Sequence, residues 1–189
     1  MPTNKKMVSQ IKQMFDIDQD IRTQAMANKN LNEPLASFCS VEKNVSVKTK
    51  LGFSMANFLI YSLDAIHNTK LHRIIEDYGY PNAKILGKAG LYYFWLLIQH
   101  QDEDVKLQED CLKNCNFAPK EKAFLTDRIL VRYDKKQIYG TQFFRDKKTG
   151  KMQLRPVENL KDVNTLRKEA GIKTTVEEDL KTLTARIKK

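Results

Sequence analysis

The sequence predicts a mainly α-helical fold with one small β-hairpin, a single compact helical domain spanning residues 1–189. Three observations carry that expectation. Long segments repeat apolar residues at three- and four-residue spacing. Glycine and proline separate them with helix-stop chemistry. Alternating strand-like arms flank a turn only once, at Asp146-Lys147-Lys148-Thr149-Gly150.

The first helix is expected from Lys5 to Ala27, where Met7, Ile11, Met14, Ile21 and Ala25 share a face. Asp18 falls on that same apolar stripe, and a carboxylate there demands a partner. Residues 32–52, with Pro34, several serines and the spaced Val41, Val45 and Val47, read as an irregular insertion or connection, or a small strand. A second helix is expected from Phe53 to Tyr78, with Ile60, Leu63, Leu71, Ile74 and Tyr78 on one side, ended by Gly79 and Pro81.

The third helix, from Gly87 to Lys113, contains the most apolar run, Leu91 to Ile98, and is expected to be the central core helix. The fourth starts at Pro119, a favourable first-turn residue, and carries Ala123, Phe124, Leu125, Ile129 and Val131 with Asp127 and Arg128 embedded among them. The hairpin arms are Gln137 to Arg145 and Lys151 to Pro156. Two short helices, Val163 to Ala170 with a Gly171 stop and Val176 to Ile187, finish the fold.

Composition narrows the function classes. The net charge of +10 suggests an acidic partner, but the lysines are dispersed and favour turns and the tail. That distribution argues against nucleic acid and for capture of an anionic substrate. No run approaches the roughly 18 apolar residues of a membrane span, and Met1 to Gln10 lacks a signal-peptide pattern. A protein not exported by the general secretory route is expected. Cys39, Cys111 and Cys115 read as reduced thiols, which points to a cytoplasmic location. The acidic Glu177-Glu178-Asp179 near the lysine-rich end supports an alternative, a bacterial effector delivered into a host cell.

Polar residues inside apolar patterns mark the candidate site. Asp18 and Arg22 are one helical turn apart, as are Asp64 and Asn68, and as His100 and Asp104 would be on one continuous helix. Asp127-Arg128 lies ahead of Gln137-Ile138-Tyr139-Gly140-Thr141-Gln142, a segment dense in hydrogen-bonding groups around a glycine. No nucleophile elbow, phosphate-binding glycine loop or zinc spacing is present, so no cofactor and no metal are expected.

Asp18-Gln19-Asp20-Ile21-Arg22, Asp64 with Asn68 and Leu71, Gly79-Tyr80-Pro81, Gly87, Gln99-His100-Gln101-Asp102, Gln108, Asp127-Arg128, the segment Gln137 to Gln142, and Val163 with Arg167 together resemble the ordered motifs of a bacterial family of unknown function. The likeness covers almost the whole chain. It departs mildly at Tyr80, where the family has tryptophan, and in the added 32–52 segment. It implies one domain and one site, and no activity.

The chemistry expected is carboxylate acid/base work. Asp127, His100, Asp18 and Asp64 are the catalytic candidates, and Arg22, Asn68, Arg128, Gln137, Tyr139, Thr141, Gln142 and Arg167 the substrate-binding ones. Asp18, Asp64, His100, Asp127 and Tyr139 are expected to converge on one pocket. Two carboxyl groups with arginines and amides suit cleavage of a glycosidic or N-glycosidic bond in an anionic, nucleotide-like substrate, such as protein-linked ADP-ribose. The alternative is a non-catalytic module that binds a phosphorylated or nucleotide-like ligand or a partner protein.

Overall fold

The computed structural model describes residues 4–28, 31, 54–146 and 148–187. Among the described residues, seven helices and one two-stranded antiparallel sheet follow in order: α1 Lys5–Ala27, α2 Met55–Tyr78, α3 Ala83–Gln99, α4 Val105–Asn114, α5 Pro119–Arg132, β1 Phe143–Arg145, β2 Met152–Leu154, α6 Val163–Glu169 and α7 Val176–Ile187. The fold is therefore mainly α with a small hairpin, as the periodicity predicts. The 32–52 segment and Cys39 lie outside the described residues.

Local chemistry starts the first five helices. Asn4, Ser54, Asn82 and Asp104 each accept a backbone N–H of the turn they precede, while α5 opens on Pro119 instead. Gly79 ends α2 at φ 74°, a backbone region that costs glycine little. The core joins Met7, Ile11 and Met14 of α1 to Leu71 and Ile74 of α2. Phe94, Leu97 and Ile98 of α3, Leu107 and Cys111 of α4, and Leu125 and Ile129 of α5 close it. No described helix is long and apolar enough to cross a membrane.

The long third helix of the sequence reading is two helices. The first begins earlier, at Ala83, bends at Gly87 (φ 70°) and stops at Gln99, and the second begins at Val105. The break has a cause. Asp104 accepts the Leu107 N–H at 3.0 Å, offering the backbone a cap that competes with helix continuation. Gln108 and Gln101 satisfy the carbonyls stranded at the end of α3, with Nε2 of Gln108 on Ile98 (3.1 Å) and Gln99 (3.4 Å) and Nε2 of Gln101 on Leu97 (3.1 Å). His100 and Asp104 consequently belong to a corner and not to one helical face.

The hairpin is also shorter than its pattern. β1 pairs with β2 only from Phe143 opposite Leu154 to Arg145 opposite Met152, and the turn is closed by Asp146, whose carboxylate accepts from Lys148 and Thr149. Ile138, Tyr139 and Thr141 leave the ladder because Asp127 takes their backbone donors, while Gln137 keeps an isolated bridge to Val157. Tyr78 and Tyr92 stand 39% and 44% exposed, so α2 buries less of its end, and α3 less of its circumference, than the apolar runs suggest. The Tyr92 ring instead packs beside Phe15 and Trp95.

Cys111 and Cys115 are free and buried. A hydrogen bond with Cys115, together with burial, pushes the Cys111 thiol upward, which keeps it protonated and unreactive.

Candidate functional site

Three elements meet at one polar cluster. The Asp18 carboxylate, on the inward stripe of α1, is fully buried and accepts from Gln19 Nε2 at 2.8 Å and Arg22 Nε at 2.9 Å. From the α3 end, His100 Nδ1 approaches its two oxygens at 3.1 and 3.0 Å. Arg22 then reaches across to α2, where its Nη2 donates to Asp64. One ligating atom from each of Asp18, Asp64 and His100 lies within 4.8 Å of the others.

The two carboxyl groups are driven in opposite directions. Burial pulls Asp18 upward, but the His100 hydrogen bond and charge, with Arg22, outweigh it and bring the group down to about 2. Burial also pushes Asp64 upward. Arg22 opposes, the negative charges of Asp18 and Asp102 reinforce, and the balance stands at about 6. The Arg22 ion pair does not hold Asp64 low because burial, with the charges of Asp18 and Asp102, outweighs it. Burial lowers His100 more than its Asp18 hydrogen bond raises it, so a neutral imidazole is favoured at pH 7.

Around this centre lie two further groups. Arg128 of α5 forms a bidentate pair with Asp102 (2.6 and 2.8 Å) and donates to Gln99 Oε1 at 3.3 Å, and its charge acts on both Asp64 and His100. One turn along α2, Asn68 Nδ2 donates to Asp104 at 3.0 Å while His72 Nε2 meets the same oxygen at 2.7 Å. Asp104 thus belongs with Asn68 and His72, and the expected facing of His100 and Asp104 is replaced by the Asp18–His100 pair.

His67, Gln99 and Asp102 were not among the sequence candidates. His67 is only 2% exposed, its Nδ1 has no hydrogen-bond partner among the described residues, and the charges acting on it include Asp18, Arg22 and His100. Burial brings it down to about 4. A sequence signal existed: His67 lies four residues from both Leu63 and Leu71, on their inward face, yet the charged character of the helix obscured it. Nε2 of Gln99 is likewise buried and without a partner among the described residues.

The remaining candidates form a second, separate constellation. Asp127 is fully buried, and four donors fill its carboxylate: the backbone N–H groups of Ile138 (2.7 Å), Tyr139 (3.0 Å) and Thr141 (2.9 Å) and the Thr141 hydroxyl (3.0 Å). Gln137 donates to the carbonyls of Gln142 (3.0 Å) and Arg155 (2.8 Å) and accepts the Gln142 N–H (2.8 Å), and Gln142 Nε2 donates to the Thr141 hydroxyl (3.1 Å). Arg167, fully buried, donates from Nε to the Thr174 carbonyl. Its Nη1 serves the carbonyls of Tyr139 and Gly140, and its Nη2 serves the Thr174 hydroxyl and Asp179. A guanidinium has five N–H donors, so none is left for a ligand.

The expected convergence is therefore divided. Asp18, Arg22, Asp64 and His100 come together with Arg128 beside them. Asp127, Gln137, Thr141 and Arg167 spend their polar atoms on the protein's own backbone, and Tyr139 packs its ring by Ala123, Ala170 and Ile172.

Gly140 completes the loop at φ 63°, where an added Cβ would sit 2.9 Å from Val176 Cγ2. Thr175 and Glu178 cap α7 reciprocally, Glu178 accepting at 2.8 Å and the Thr175 hydroxyl at 3.2 Å, so the acidic run near the end serves helix initiation and the Arg167 pair.

Residues 6–186 match a family of unknown function, DUF6624. The chain belongs to that family. No curated protein and no solved structure matches it. DUF6624 membership spans both constellations, which places the polar cluster and its supporting loop within one family unit.

Proposed function

We propose that this DUF6624 protein is a hydrolase that uses acid/base chemistry on a glycosidic or N-glycosidic bond of an anionic, nucleotide-like substrate, with protein-linked ADP-ribose as the leading example. The observation that carries the reading is the buried Asp18 carboxylate on Nδ1 of His100, with the Asp64 carboxyl beside them. A buried carboxylate on Nδ1 fixes the tautomer that leaves Nε2 as the proton acceptor. His100 Nε2 takes a proton from water, and the Asp64 carboxyl delivers one to the leaving group.

Asp18 itself is fully buried, so it orients His100 and does not attack the sugar carbon. Water is then the nucleophile, and no covalent glycosyl-enzyme forms. Arg22 and Arg128 are the groups that would meet the anionic part of the substrate, each exchanging an aspartate for a phosphate oxygen. Asn68 lies one turn from Asp64 on α2, and its amide, now on Asp104, would read a neutral hydroxyl.

The test is hydrolysis of ADP-ribosylated peptides and simple nucleosides by the full chain, with binding followed in parallel. His100→Asn and Asp64→Asn are expected to lower kcat by about 10²-fold or more, the usual range for a lost general acid or base, with smaller effects on affinity. Ligand binding with no turnover by the unaltered protein would assign the cluster instead to a non-catalytic module for a phosphorylated or nucleotide-like ligand. No binding and no turnover would remove both readings.

A further inference from the structure

We propose that Asp18, Asp64 and His100 bind one divalent transition-metal cation, with His67 as a further partner through a bound water and the Arg22 guanidinium as the internal cation that it replaces. The donors come from the middle of α1, the inward face of α2 and the end of α3, so no local sequence spacing reveals them. Their ligating atoms are all within 4.8 Å of one another. Two atoms on opposite sides of an ion with bonds of ~2.1 Å stand ~4.2 Å apart, so closing the set needs only small side-chain movement.

A second observation points to a missing ligand. His67, one turn beyond Asp64 on the same helix and almost wholly buried, has a ring nitrogen with no partner among the described residues. A buried polar atom left unpaired is costly, and an imidazole nitrogen is among the commonest metal donors. His67 is not one of the three residues of the close set, but the charges of Asp18, Arg22 and His100 act on it, and an ion among them offers that nitrogen a partner through a bound water. Loading exchanges the hydrogen bond between Asp18 and Nδ1 of His100 for a bond from each group to the ion. Mixed imidazole and carboxylate donors suit zinc, manganese or ferrous iron better than calcium.

Arg22 shows that the place is built for positive charge. Its guanidinium bridges Asp18 and Asp64, and at 17% side-chain exposure it has a route outward. Charge balance supports the exchange. With every carboxyl ionised, Asp18, Asp64 and Asp102 exceed Arg22 and Arg128 by one, and both arginines are tied to those carboxylates. A cluster so balanced repels an anion. A divalent ion reverses the sign and frees Arg22 to meet a phosphate. This charge argument rests on the anionic substrate proposed above, whereas the donor geometry does not. In the loaded state His100 is a ligand, and a substrate oxygen or water meets the ion instead of the imidazole.

The experiment is titration of chelator-treated full-length protein with Co²⁺, followed by its visible absorption bands, and with Zn²⁺ by calorimetry. One ion per chain is expected, with Zn²⁺ displacing Co²⁺. Asp64→Asn should weaken binding at least tenfold and His67→Gln by about tenfold, while Arg22→Gln, which removes the competing cation, should tighten it. Circular dichroism keeps unfolded variants out of the comparison. No Co²⁺ uptake by the folded unaltered protein overturns the proposal, as does uptake that Asp64→Asn and His67→Gln both leave unchanged. Ion binding without hydrolysis of any nucleotide-like substrate supports the site and removes the hydrolase reading. Hydrolysis in excess chelator, without ion uptake, does the reverse.

Discussion

Asp64→Asn should stabilise the metal-free protein at neutral pH while lowering the kcat of the proposed hydrolysis by about 10²-fold or more. The Asp64 carboxyl stands at about 6 in the folded chain against an ordinary 3.8. At 1.36 kcal/mol per unit, keeping it ionised costs the folded state about 3 kcal/mol. The sign follows from proton counting. Between pH 3.8 and 6 the folded chain holds this proton more tightly than the unfolded one, so the contribution is complete below pH 3.8 and is lost as pH rises through 6. Asparagine is neutral throughout and removes that loss. Arg22 keeps Asp18 as a partner, so the substitution does not strand its charge.

His67 slopes the other way. Its folded value of about 4 lies below the ordinary 6.5, so its contribution is complete above pH 6.5 and is lost as pH falls through 4, again by about 3 kcal/mol. The lowered His100 acts in the same direction. In the unaltered protein these slopes largely offset Asp64 between pH 4 and 6.5, whereas in Asp64→Asn they stand alone. Urea denaturation of chelator-treated protein from pH 4 to 7.5 reads the difference. The two proteins should agree near pH 4 and diverge by up to about 3 kcal/mol at pH 7.5, with the variant the more stable. A variant that is less stable at pH 7.5, or a difference independent of pH, would refute the claim that burial and Asp18 prevail over Arg22 at this carboxyl.

Asp127→Ala should cost about 3–5 kcal/mol in urea unfolding, since it strands four donors in a dry interior; a loss under ~1 kcal/mol would contradict its anchoring role. Arg167→Met should cost a similar ~3–5 kcal/mol, leaving Asp179 and the carbonyls of Tyr139, Gly140 and Thr174 without their donor, read by the same unfolding curves. Gly140→Ala should lower stability by about 1–3 kcal/mol, because φ is 63° and the new methyl meets Val176 at 2.9 Å and Val163 at 3.1 Å. Cys111→Ala should retain turnover where His100→Ala loses it, with melting curves confirming that both remain folded. An inactive but folded Cys111→Ala protein would contradict the absence of thiol chemistry.

Elements with strong local determinants were legible in the sequence. The limits of α1 follow from Asn4 and the stripe through Met7, Ile11 and Met14, and those of α5 and α6 from Pro119 and Gly171. The failures have one physical character, long-range hydrogen bonding. Nothing in residues 87–113 taken alone announces that Gln108 will serve carbonyls at the end of α3, and this makes a break there affordable. The apolar alternation after Gln137 could not reveal that Asp127 takes three backbone donors from the would-be strand. The site was half legible for the same reason. Asp18, Arg22, Asp64 and His100 stood out as polar groups on apolar faces, but the same signal marks a carboxylate that binds its own backbone, as at Asp127.

The adjacent Asp127 and Arg128 show how the two constellations are joined. Successive residues on a helix point about 100° apart. Asp127 therefore turns toward the loop of Ile138 to Thr141, while Arg128 turns toward Asp102 and the Asp64–His100 cluster. Arg167 holds the far side of that loop through the carbonyls of Tyr139 and Gly140, tying α6 and α7 to the same joint. A loosened loop would release the α5 backbone and, with it, the position of Arg128. Substitution of Asp127 can thus reduce activity without the residue ever touching substrate. Activity loss alone does not make Asp127 catalytic: a positioning residue loses stability with activity, whereas Asp64, held ionised at a cost to the fold, should lose activity and gain stability.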